Sequence, residues 1–197
     1  MFLDGANWQY YIIYPPTFFE KYKLWWAERA AERPLGIVFT CLLLRICACS
    51  IQYVDKKTQL QLELELGEKP QVLTEKFHAA AEELSRSVLP GKGGIAHVQA
   101  LLLGMMWYKC EAKFIDSWHA LGTTIREAQE LGSLPTCPAS SSGSNMLTLN
   151  NNQGMHKSFF SPGLSEFEKE MRRRVWCMLY TWDWYAIPPS GQLREIL

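Results

Sequence analysis

The chain has 197 residues, of which 48% are hydrophobic, 13% aromatic and 20% charged, a globular balance rather than a disordered or collagen-like one. Twenty Lys and Arg against twenty Asp and Glu give a formal net charge of zero, so the basic excess that usually grips DNA phosphates is missing. The six cysteines (41, 47, 49, 110, 137 and 177) include no C-x-x-C pair, which argues against structural zinc, thioredoxin-like chemistry and a disulfide framework. Residues 1–5 carry neither a basic n-region nor an apolar h-region, so the expectation is a reduced, intracellular protein.

The segment from Trp8 to Pro16 is aromatic and closes on Pro15-Pro16, which is expected to exclude a helix there. Thr17 then N-caps a first helix, Glu20 completes a capping box, and Phe18, Tyr22, Trp25 and Trp26 lie along it up to about Arg33. Pro34 suits the start of a second, apolar helix over about 35–54. That run has the length of a membrane span, but Arg45 sits near its middle, and Gly36, Thr40, Ser50 and Gln52 dilute it. It has no aromatic belt or basic flank, so it reads as a buried core helix. Residues Leu60 to Leu66 alternate apolar and polar as a half-buried strand does; a lone strand makes no sheet, so the stretch reads as an extended connector.

Three amphipathic helices follow. Leu73, Phe77, Ala80, Leu84 and Val88 mark the first, over about 72–89, and Pro90-Gly91-Lys92-Gly93-Gly94 breaks it. This turn lacks the strand and the Ser or Thr of a phosphate loop. Ile95, Val98, Leu102 and Met105 line the second, to about Lys109; Phe114, Trp118, Leu121, Ile125 and Ala128 line the third, which Gly132 caps. Residues 133–163, with Ser140-Ser141-Ser142 and Asn150-Asn151-Asn152, read as a flexible polar insert. A last helix opens at Ser165 with Glu168 as a second capping box; Phe167, Met171, Val175, Met178 and Trp182 form its apolar face, and Pro188-Pro189 ends it. The fold class is therefore all-α, an irregular bundle of about six helices.

No hydrolase, zincin or dinucleotide fingerprint is present, so no catalytic, cofactor-binding or metal-ligating residue is assigned. The histidines at 78, 97, 119 and 156 are scattered, and each reads as structural or surface. Arg172-Arg173-Arg174 is the one basic cluster, but Glu166, Glu168 and Glu170 accompany it at helical spacing, which reads as an ion-paired face. Asp183 follows Trp182 on the same helix and is expected to find an arginine partner, because an unpaired buried carboxylate is costly.

The motifs together resemble a known family. Glu170-Met171-Arg172-Arg173-Arg174-Val175-Trp176, then Leu179-Tyr180 and Asp183, is similar to the E-x-RRR-x-W…LY…D segment of the fungal transcription-factor regulatory domain, which lies downstream of binuclear zinc-cluster DNA-binding domains. In the same order, Tyr14-Pro15-Pro16-Thr17-Phe18 resembles the family's entry segment, Pro34 to Tyr53 its apolar helix, and the run from Val98 through Gln99 to Leu103 its vQALLLl helix. Trp118, Ala120, Ile125, Ala128, Leu131 and Gly132 resemble its next helix. The sequence departs from the family pattern at Ser133-Leu134-Pro135 and after Asp183.

The resemblance implies the first part of a larger helical regulatory domain: 1–132, then the insert at 133–163, then a continuation at 164–197. It implies nuclear transcription regulation without enzymatic activity, with zinc confined to a DNA-binding domain that these residues do not include. Partners would be other transcription-factor subunits or coregulators in a homo- or hetero-oligomer, with DNA engaged only indirectly and no membrane. Its motif residues, structural in role, are Gln99, Trp118, Gly132, Glu170, Arg172, Arg173, Arg174, Trp176, Tyr180 and Asp183. The rival reading is a helical interaction or small-molecule-sensing module with no role at DNA.

Overall fold

In the computed structural model, which describes residues 3, 7, 11–132 and 163–186, every regular element is a helix. The seven are α1 (Pro15–Ala30), α2 (Ile37–Gln52), α3 (Lys56–Leu66), α4 (Pro70–Arg86), α5 (Gly94–Cys110), α6 (Phe114–Gly132) and α7 (Glu166–Ala186). The all-α class holds. The insert expected at 133–163 lies outside the described residues, save Gly163.

Two helix starts differ from expectation. Pro15 and Pro16 do not exclude α1 but open it, Tyr14 being the N-cap; their missing N–H groups fall where a helix has no internal acceptor to offer. Thr17 therefore sits inside the first turn and donates to the Tyr14 carbonyl at 3.1 Å instead of forming a capping box with Glu20. Pro34 likewise stays outside α2, whose N-cap is Gly36. At α7 the capping box forms as read: Glu168 N–H donates to Ser165 Oγ at 3.2 Å, and Ser165 N–H donates back to Glu168 Oε2 at 3.2 Å.

Residues 60–66 are the clearest reversal. They form α3, not an extended connector, with Gly67 in the left-handed region (φ 71°) closing the helix through its N–H to the Glu63 carbonyl. Strict alternation scatters the four leucines around the helix, so none is buried, and Leu64 is 86% exposed. With no neighbouring strand to pair, local hydrogen bonding decides the conformation, assisted by Gln61 donating to Glu65 one turn on at 2.8 Å.

The core is built around α5. From His97 to Trp107 every residue except Leu101 is buried, so this helix is covered on nearly all sides. It packs against α2 and α4 on one side and α6 and α7 on the other. Cys49 Sγ meets the Leu103 carbonyl and Gln52 reaches that of Trp107, so α2 runs parallel to α5. Ser85 meets His97 while Thr74 accepts from Trp107 Nε1 at 2.8 Å, so α4 runs antiparallel to it. The turn at 111–113 reverses the chain into α6, and Ser117 Oγ donates back to the Met105 carbonyl at 3.1 Å. Met171, Val175 and Leu179 bury the inner face of α7, and Lys109 stands 3.6 Å from the centre of the Trp182 ring, so α7 is parallel to α5.

The apolar stripes read from the sequence are rotated in two helices. In α4 the buried residues are Leu73, Thr74, His78 and Ala81, while Ala80 is exposed. In α6 Leu121 and Ala128 are buried, but Phe114 and Trp118 face outward and Trp118 is 58% exposed. Buried polar side chains explain both shifts: Thr74 and His78 in α4, and Ser117, Thr124 and Glu127 in α6, occupy inward positions that an apolar pattern does not count. No described helix is long and apolar enough to cross a membrane.

Candidate functional site

The largest fully buried side chain is Arg45, 2% exposed at the centre of α2. Its Nη1 donates to His78 at 2.6 Å and its Nη2 to Glu82 Oε2 at 2.5 Å, and Glu82 reaches out to 38% exposure. Gly104 on α5 makes room for this guanidinium; a Cβ there would stand 2.8 Å from the Arg45 Cζ. His78 stacks on Trp107 with ring centres 3.7 Å apart. Burial and the neighbouring Arg45 charge push its pKa down to about 3, so the ring is neutral and accepts the arginine N–H. This is a satisfied charge cluster that joins α2 and α4, with α5 closing over it.

A second cluster has the outline of a hydrolytic triad. Ser85 Oγ lies 3.0 Å from His97 Nε2, and His97 Nδ1 lies 3.2 Å from Glu127 Oε1. Glu127 Oε1 also accepts the Gly91 N–H at 3.0 Å, which pins the Pro90–Gly94 turn onto α6. Ser85 stands in the last turn of α4, at the end of the helix where the dipole opposes a developing oxyanion. Neither of the two best cavities opens onto it. The arrangement clamps α4, α5, α6 and the turn together.

The two cavities differ in lining. One, of about 540 Å³, lies between the end of α2, α3, the start of α4 and the end of α5. Its polar wall is internally bonded: Gln52 Nε2 donates to Glu111 Oε1 at 2.7 Å and Gln71 Nε2 to Glu111 Oε2 at 2.9 Å. The other, of about 270 Å³, is mainly apolar and lies between α1, α2 and the starts of α5 and α7.

The motif residues occupy three environments. Gln99 is buried on α5 and donates to the Ile12 carbonyl, tying the residues before α1 to the central helix. Asn7 grips the same segment by donating to the Ile13 carbonyl at 2.7 Å and accepting its N–H at 3.0 Å. Trp118 is on the surface, and Gly132 is the last residue of α6.

The remaining motif residues share α7. Glu170 binds both Arg173 and Arg174, the latter at 2.9 Å, so the ion-paired face is present, and these pairs hold the Glu170 carboxyl below its usual range. Trp176 is half-buried against the core and Tyr180 is 54% exposed. The arginine partner expected for Asp183 does not materialise: among the described residues no ion pair reaches it, because the arginines of the run turn toward Glu170 or stand three turns away. Burial pushes the Asp183 carboxyl up. Arg172 is also half-buried, its Nε has no hydrogen-bond partner among the described residues, and burial lowers its pKa.

A zinc cluster does not fit these residues. No group of three or more His, Cys, Asp or Glu side chains that could hold a metal ion occurs among the described residues. Cys41 donates to the Ala81 carbonyl, and burial pushes Cys49 up to about 12, a protonated thiol rather than a ligand thiolate. Sequence reasoning passed over Arg45, His78 and Glu127 as functional parts of the core. Their signal was present as polar residues recurring on apolar helix faces.

A helical bundle whose polar clusters bind its own elements together, with motif residues spread along one outer helix, defines a regulatory or interaction domain. The chain belongs to the fungal specific transcription factor domain family, whose profile matches residues 1–186. It is 28% identical to a probable transcription factor, sol4, of Alternaria solani, over 90% of this chain and 29% of that protein. It is 23% identical to the transcription factor xilB of Penicillium rubens, over 99% of this chain and 26% of that protein. The chain thus spans between a quarter and a third of the length of these relatives. No solved structure matches it.

Proposed function

We propose that this chain works as the regulatory, non-DNA-contacting part of a zinc-cluster-type fungal transcription factor acting in the nucleus, with a biosynthetic gene cluster as its target. The observation that carries the reading is the family match over residues 1–186, joined to two relatives that are both named transcription factors. The physical chemistry is consistent with it: the net charge is zero, and the arginine run is spent on Glu170 rather than offered to phosphates. In this reading the domain contacts other transcription-factor subunits or coregulators, zinc and base recognition belong to a separate DNA-binding domain, and no membrane or catalytic step is involved.

The test is to fuse the chain to an unrelated DNA-binding module upstream of a reporter in a fungal host, beside a fluorescence-anisotropy titration of the chain alone against DNA. The reading expects reporter output to change with the fusion, and only weak DNA binding that disappears with modest salt. Salt-resistant preference for one DNA sequence, or a reporter indifferent to the fusion, overturns it. A second reading, sensing of a small polar molecule, is favoured by the 540 Å³ cavity, a size that fits ordinary ligands.

A further inference from the structure

We propose that the chain forms a two-fold dimer in which α7 pairs antiparallel with α7 of a second copy, Arg172 of each facing Asp183 of the other. The two residues are eleven positions apart, three helical turns, so they share one side of α7 roughly 16 Å from each other. They cannot pair with each other within one helix. Each is half-buried, and among the described residues neither has an ion-pair partner, an expensive state for a guanidinium and a carboxylate. A surface that needs an acid at one end and a base at the other is met by its own image turned through 180°.

The residues between the two charges suit this pairing. Trp176 lies on the same side, and an antiparallel register that sets 172 against 183 brings Trp176 opposite the Leu179–Tyr180 step of the second copy. Tyr180 is 54% exposed and Trp176 half-buried, so aromatic surface is available at the centre of the seam. Because α6 runs opposite to α7, its first turns lie at the Asp183 end, and there Phe114, Ile115 and Trp118 are all exposed. These side chains widen the apolar area beside the seam toward what a stable dimer buries. The proposal does not depend on the transcriptional reading.

Reciprocal charge reversal tests it on the full chain by analytical ultracentrifugation. The native chain should sediment as a concentration-dependent dimer. Arg172→Glu sets acid against acid and Asp183→Arg sets base against base, and each should weaken self-association at least about tenfold. An equimolar mixture of the two variants should dimerise again. The acid introduced at 172 in one then faces the arginine introduced at 183 in the other, while native Asp183 of the first faces native Arg172 of the second. Arg172→Glu and Asp183→Arg combined in one chain should also restore the homodimer.

A native chain that stays monomeric, or single variants that melt lower without any change in mass, would place the partner of these charges within the same chain and overturn the proposal. So would failure of the mixture to reassociate. If a charge variant loses its helical circular-dichroism signal, Tyr180→Arg, at an exposed position, takes its place; a dimer indifferent to it overturns the proposal equally.

Discussion

Removing the carboxylate of Glu82 isolates the charge on Arg45. In the native chain the guanidinium is 2% exposed and holds two hydrogen-bond partners, the neutral ring of His78 and the Glu82 carboxylate at 2.5 Å. Breaking a buried ion pair from one side costs about 3–5 kcal/mol when the remaining charge is sealed in. Glu82 is 38% exposed, so water can follow into its place and reduce that figure, and Glu82→Ala should cost about 2–3 kcal/mol. For a chain of this size that is a fall in melting temperature of about 4–12 °C. Arg45→Met removes the charge itself and keeps much of the stem's volume, at about 1–2 kcal/mol, chiefly for the acceptor left on His78. The double variant should then be no less stable than Arg45→Met alone, because a carboxylate at 82 has no buried cation left to serve. Urea denaturation followed by circular dichroism measures all four corners of the cycle. If the double variant loses the sum of the two single losses, or Glu82→Ala lies within 0.5 kcal/mol of native, the cluster does not carry the energetic role given to it.

Other perturbations test neighbouring features. His78 has a folded pKa of about 3 against 6.5 in the unfolded chain, so the unfolded state takes the proton first. Stability should be fully present above pH 6.5 and fall as pH drops toward 3, at up to about 1.4 kcal/mol per pH unit. His78→Gln, which keeps an acceptor for Arg45, should flatten that slope, and an unchanged slope would assign it elsewhere. Ala112 (φ 56°) closes α5 in the left-handed region, its N–H on the Lys109 carbonyl and that of Lys113 on Tyr108. Ala112→Gly should therefore stabilise the fold by about 0.5–1 kcal/mol in the same denaturation assay, and a loss would show that the αL strain is not there. Ser165→Ala should cost about 1 kcal/mol through the box at the start of α7.

What was legible in the sequence followed from what a pattern records. The stripes of α5 and α7 were readable because apolar residues dominate their buried faces, and the Ser165–Glu168 box because both partners are local. Residues 60–66 misled because alternation is a property of strands that have neighbours, and this stretch has none. Trp118 misled through its type: the stripe placed it inward, while Ser117, Thr124 and Glu127 take the inner face through hydrogen bonds formed with other elements. Arg45 was visible only as an obstacle to membrane insertion; that it anchors a core follows from His78 and Glu82, more than thirty positions away. For Asp183 the need for a partner was readable, but the arginines at hand were already committed to Glu170 or three turns distant.

The enclosure of α5 sets an order in which the molecule exposes its amides. A helix covered on nearly all sides gives up its N–H groups only when its neighbours leave together, so the amides of Val98 to Trp107 should exchange with deuterium only through global unfolding. The α3 helix has no buried residue and leans on α4 alone, so its amides can open while the rest of the bundle stands. Exchange should therefore begin at Lys56–Leu66 and end at the centre of α5, making α3 the segment that a binding event can reshape at least expense to the remainder.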